Sequence, residues 1–128
     1  MLVSDYMSAS PVTIREDANY RTAFEIMKKQ DLHHIPVANI DNDVVGILSR
    51  RDLQLAASHY QEAPVEVSEV MHKRVIMIEP GANLATAAAR MMENRIGSLP
   101  VSENGRQAIG MITETDLLRA LIAVLKPA

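Results

Sequence analysis

Apolar positions along the chain follow two rhythms that alternate in a fixed order. Tyr20, Ala23, Phe24 and Met27 are spaced i, i+3, i+4, i+7, which predicts a helix with one face on a core. Leu84, Ala87, Ala88 and Met91 repeat the spacing, and Asn19 and Asn83 stand where N-caps belong. Short apolar runs predict strands before each helix, at residues 12–14 and 75–78. After each helix, two more runs pair across a turn. Residues 35–38 and 44–48 flank Asp41-Asn42-Asp43, and residues 99–101 and 108–112 flank Glu103-Asn104-Gly105, where Asn-Gly favours a hairpin. A last helix begins near Ser49 in the first half and near Thr113 in the second. Each half therefore reads strand, helix, strand, strand, helix, and the fold class expected is α+β.

The two halves are copies. An ungapped shift of 64 residues aligns Val3 with Val67, Asn19 with Asn83, Pro36 with Pro100, Gly46 with Gly110 and Asp52 with Asp116. In all, 15 of 64 pairs are identical, where ordinary composition would give about four. The division expected is one repeat over residues 1–64 and a second over 65–128. A unit this small has a thin core, so the repeats are expected to pack sheet against sheet with pseudo-two-fold symmetry.

Composition narrows the function classes. The 128 residues contain no cysteine, which excludes disulfides, thiolate metal sites and thiol nucleophiles. Thirteen basic against sixteen acidic residues give a net charge of −3, and aromatics are 3%, so neither the charge nor the stacking needed for nucleic acid is present by default. The longest apolar stretch, residues 120–125, is far too short to span a membrane. The N-terminus lacks an export signal, and a cytoplasmic location is expected. His33 and His34 are adjacent on a predicted strand and so face opposite ways, while His59 and His72 have no ligand spacing with them. No metal site is expected, nor is a nucleophile–base–orienter set apparent.

The motif with the most chemistry is Gly46-Ile47-Leu48-Ser49-Arg50-Arg51-Asp52, repeated as Gly110-Met111-Ile112-Thr113-Glu114-Thr115-Asp116. A strand glycine lets a ligand approach the backbone. A hydroxyl at a helix start, beside free N–H groups, suits a phosphate or sugar oxygen. The carboxylate three residues on can accept from the two hydroxyls of a ribose. A capping box would be the better explanation of one such tetrapeptide, but its recurrence in register favours a ligand. The copies differ in charge: Arg50-Arg51 suit phosphate, whereas Glu114 opposes it, so the Asp52 site is expected to prefer more phosphates.

With the strands His33-His34-Ile35-Pro36-Val37 and Gly97-Ser98-Leu99-Pro100-Val101, these motifs resemble the cystathionine-β-synthase (CBS) domain family, as a tandem pair over essentially the whole chain. The resemblance implies an adenosine-containing ligand (AMP, ADP, ATP, S-adenosylmethionine or NAD) bound for regulation, with no catalytic cofactor. It further implies one site with Asp52 on the ribose, Ser49 on ribose or phosphate, and Gly46 to Leu48 as a wall, facing Ile76, Gly97 and Ser98. The second would use Asp116, Thr113, Gly110 and Ile112, facing Val12, His33 and His34. The function expected is a stand-alone regulatory sensor, not an enzyme, acting on an unidentified partner protein. A homodimer is expected through Leu117, Leu118, Leu121 and Leu125. The rival reading is an interaction module with empty sites.

Overall fold

The structure is a computed structural model that describes residues 1–127. A helical turn, α1 (Val3–Tyr6), precedes β1 (Ser8–Ala9) and β2 (Ile14–Arg15); α2 (Tyr20–Gln30), β3 (His34–Ala38), β4 (Val44–Ser49) and α3 (Arg50–Tyr60) follow. After a 3-10 turn at Val67–Glu69 come α4 (Leu84–Asn94), β5 (Ser98–Val101), β6 (Gly110–Thr113) and α5 (Glu114–Leu125). The α+β class and the helix positions are as expected. Asn19 and Asn83 do cap α2 and α4, their side chains accepting from Arg21 N at 2.9 Å and Ala85 N at 2.8 Å.

Residues 12–75 pack as one compact unit, and residues 1–11 pack with those from 76 onward as another. The packed units are thus out of phase with the 1–64 and 65–128 division of the sequence repeat. Backbone hydrogen bonds explain the offset. In the first unit the segment after α3 returns to the start of α2: Val67 N donates to Ala18 O, Ser68 N to Glu16 O, and Tyr20 N to Val65 O, at 2.8, 3.0 and 2.9 Å. In the other, the N-terminal segment does the same at the start of α4. Val3 N donates to Ala82 O, Ser4 N to Pro80 O, and Leu84 N to Met1 O, at 2.8, 2.9 and 3.0 Å. Val67 and Val3, both fully buried, anchor these segments in their cores, each burial stabilising by about 1.5–3 kcal/mol.

The unit of residues 12–75 has a sheet of order β2-β3-β4, β2 parallel and β4 antiparallel to β3. α2 and α3 contribute Tyr20, Ala23, Met27, Leu53 and Ala56 to a core completed by Ile35, Val37 and Leu48. The second unit has a sheet of order β1-β6-β5, with Leu84, Ala87, Met91 and Ala120 packed on Leu99, Val101 and Ile112. The strand expected at residues 75–78 is here a single parallel bridge between Ile78 and Val101. The reason is Pro80: its equivalent, Glu16, extends the first ladder by donating to Ala38 O at 3.0 Å, and proline has no N–H to do so. Two other predicted strands start later than expected, at Ile14 and Gly110, while those at 35–38, 44–48 and 99–101 form and extend by one residue each.

The apolar stripe expected on α5 divides. Leu117 is half-buried against its own core, while Leu118, Leu121 and Leu125, joined by Ile122 and Val124, remain exposed. No helix of the described residues is long and apolar enough to cross a membrane.

Candidate functional site

β4 ends at Ser49 and α3 begins at Arg50; β6 ends at Thr113 and α5 begins at Glu114. Each strand-to-helix corner is fixed by one backbone bond. Arg50 N donates to His33 O at 2.8 Å, and Glu114 N donates to Gly97 O at 3.0 Å. The corner places a hydroxyl and a carboxylate together at the positive end of a helix.

In the first unit Ser49 Oγ accepts from Asp52 N at 3.0 Å, and Ser49 N donates to Asp52 Oδ2 at 3.2 Å. This is a reciprocal capping box. His72 Nε2 lies 3.2 Å from the same Oδ2. In the second unit Thr113 N and Thr113 Oγ1 both donate to Asp116 Oδ2, at 2.9 and 3.1 Å. Arg119 Nη1 donates to Oδ1 at 2.8 Å. The capping role, which the sequence left beside the ligand role, is complete at Ser49; at Thr113 the Asp116 carboxylate returns to the N-cap N–H but the hydroxyl makes no side-chain cap bond. A carboxylate has more lone pairs than a cap alone uses.

The glycines have a different reason from the one expected. A Cβ at Gly46 would sit 2.3 Å from Met71 Sδ and 3.0 Å from His72 O; one at Gly110 would sit 2.7 Å from both Met7 Sδ and Ser8 O. The close approach is made by the chain itself. Ile47 pairs with His72 as an isolated bridge, and Met111 pairs with Ser8 in β1, at positions related by the repeat. Leu48 and Ile112 are both fully buried in their cores.

Arg50 is also placed otherwise. Its guanidinium donates to Met27 O at 2.9 Å and lies 3.5 Å from Asp31 Oδ1, at the C-terminus of α2. A cation there complements the last carbonyls and the negative helix end. Arg51 is exposed. Glu114 lies over Gly97, where an added Cβ would be 3.2 Å from its Cδ. His34 pairs with Ser49, and Ser98 with Thr113, in strand register. His33 is exposed, Val12, Ile76 and Gly97 are half-buried, and Ser98 is buried.

Two residues at the corners were not picked out by sequence reading. For Arg119 a signal exists, since Asp116-x-x-Arg119 has ion-pair spacing on a helix whereas Asp52-x-x-Leu55 does not. For His72 the signal lies only in register: it is the repeat equivalent of Ser8, which borders the other corner. Among the described residues no group of three or more His, Asp or Glu side chains could hold a metal ion.

The two units thus repeat one arrangement, a strand-to-helix corner bordered by a returning segment. The profile of the CBS domain family matches residues 3–59 and again 67–123, and the chain belongs to that family. A CBS domain-containing protein of Dictyostelium discoideum is 33% identical over 99% of this chain and 95% of its own length. The CBS domain pair of protein MJ0100, solved with 5'-methylthioadenosine and S-adenosyl-L-methionine, superposes with a TM-score of 0.88 at 24% identity, covering 97% of this chain and 98% of that one. CBSX2, solved in complex with AMP, gives 0.83 at 22% identity over 96% and 97%. The chain also matches homoserine O-acetyltransferases, such as that of Methanocorpusculum labreanum at 31% identity, but spans only 23% of that enzyme's length.

Proposed function

We propose that this chain is a regulatory module that binds an adenosine-containing ligand (AMP, ADP or ATP, with S-adenosylmethionine and NAD in the same class) and reports its occupancy to a partner protein. The observation that carries this reading is the hydroxyl–carboxylate pair at the start of α3, repeated at the start of α5. Asp52 accepts from the ribose hydroxyls, Ser49 approaches ribose or phosphate together with the N–H groups of the first turn, and exposed Arg51 is the basic side chain available to phosphate. The ligands crystallised with MJ0100 and CBSX2 all carry adenosine, which supports the ligand class. The role is binding rather than catalysis; the acetyltransferase matches cover a minor part of those enzymes and bring no reaction with them.

A thermal-shift series with AMP, ADP, ATP, S-adenosylmethionine and NAD tests the reading. A ligand that binds only the folded state stabilises it by about 2.7 kcal/mol at a hundredfold excess over Kd. At least one of the five should raise the melting temperature by several degrees, and the rise should be lost in the Asp52→Ala, Asp116→Ala double variant. No shift with any of the five refutes it.

The exposed α5 face carries a second element of the reading, that the module works as a homodimer. Leu118, Leu121, Ile122, Val124 and Leu125 are exposed on one helix, and such a patch favours self-association by burial.

A further inference from the structure

Asp52 and Asp116 are equivalent in sequence and differ in what they have left to offer. At Asp116 the protein itself uses both carboxylate oxygens: Oδ2 takes the Thr113 N–H and hydroxyl, and Oδ1 takes Arg119. The residue is 3% exposed. At Asp52 both contacts, from Ser49 N and His72 Nε2, fall on Oδ2, and Oδ1 has no partner among the described residues. Its side chain is 18% exposed against 4% for Asp116. A ribose diol presents two donors that need free acceptor positions on one carboxylate. Asp52 has them, whereas Asp116 would first have to give up a charged hydrogen bond.

The difference traces to one position. Arg119 stands one helical turn after Asp116, where the pair can meet on one face of α5. The equivalent residue one turn after Asp52 is Leu55, which is exposed and has no charge to offer. We infer that the chain binds a single adenosine ligand, at Asp52, and that Arg119 keeps the Asp116 position closed. This rests on the adenosine-binding reading and restricts it to one of the two corners.

Calorimetric titration with AMP, ATP and S-adenosylmethionine tests the assignment. The wild-type chain should bind one ligand per chain, and Asp52→Ala should abolish binding where Asp116→Ala does not. Two reciprocal exchanges test the mechanism. Arg119→Leu gives the second corner the side chain of the first and should open a second binding event. Leu55→Arg places a guanidinium one turn from Asp52 and should weaken binding by about tenfold or more, the scale of a charged hydrogen bond that the ligand must displace. Leu55 is 62% exposed, so this variant keeps its fold and the test stands even where the aspartate variants are unstable. Two equivalent ligands per wild-type chain, binding that depends on Asp116 but not Asp52, or unchanged affinity in Leu55→Arg would overturn the inference alone. No binding of any of the three to either wild type or Arg119→Leu would overturn the adenosine-binding reading and this inference with it.

Discussion

Replacing Gly110 by alanine distinguishes a glycine kept for a ligand from one kept for the chain. The added Cβ would meet Ser8 O and Met7 Sδ, each at 2.7 Å, well inside van der Waals contact. Met7 can swing its thioether away, but Ser8 O belongs to β1, whose ladder with β6 is two residues long. Relief therefore requires β1 to move. Overpacking of this kind costs about 1–3 kcal/mol, and loss of the short ladder places Gly110→Ala at the upper end. At Gly46 the closest atoms, at 2.3 and 2.8 Å, belong to the flexible Met71 side chain, while the backbone oxygen of His72 is 3.0 Å away. Gly46→Ala should cost about 1 kcal/mol, because a methionine side chain yields more readily than a strand. For a domain of this size 1 kcal/mol is about 3–5 °C in Tm. Thermal melts of the two variants without ligand should show the larger loss in Gly110→Ala. If both variants melt with the wild type and only ligand affinity falls, the self-packing account of these glycines is wrong.

Arg50→Ala should lower stability by about 1 kcal/mol through the lost contacts at the C-terminus of α2, with nucleotide affinity unchanged to within about twofold; a selective loss of ATP over AMP binding would return Arg50 to the phosphate role. Light scattering should give twice the 14.1 kDa chain mass at micromolar concentration, and Leu121→Asp with Ile122→Asp should halve it; a wild type at 14.1 kDa removes the dimer.

Much of the fold was legible because the repeat supplies two independent readings of each element. The apolar spacing of Tyr20 to Met27 and of Leu84 to Met91 located both helices, and their asparagine caps fixed the starts. What pattern could not give was where each segment packs. Val3 and Val67 are apolar residues in short segments without a periodic rhythm, and only the backbone bonds to Ala82 and Ala18 show which core receives them. Likewise Pro80 looks innocuous in a turn. Its missing N–H is felt only where the repeat equivalent, Glu16, closes a ladder bond.

The candidate site divides along the same physical line. Residue type and spacing announce a hydroxyl and a carboxylate at a helix start, because a cap and a ligand contact draw on one local geometry. Arg50 follows Ser49 directly and reads as a phosphate contact, yet a long side chain goes where the strongest unsatisfied acceptors are. At this corner those are the last carbonyls of α2, far from Arg50 in sequence. Glu114, its repeat equivalent, has no such attraction and folds over Gly97 instead. The identity of a charged residue at a helix start therefore says little about a ligand until the neighbouring helix ends are placed. The residues one turn further on, Leu55 and Arg119, say more, since an i, i+3 relation within one helix needs no tertiary information. On that ground the difference between the two aspartates was already written in the sequence, in positions that motif matching passes over.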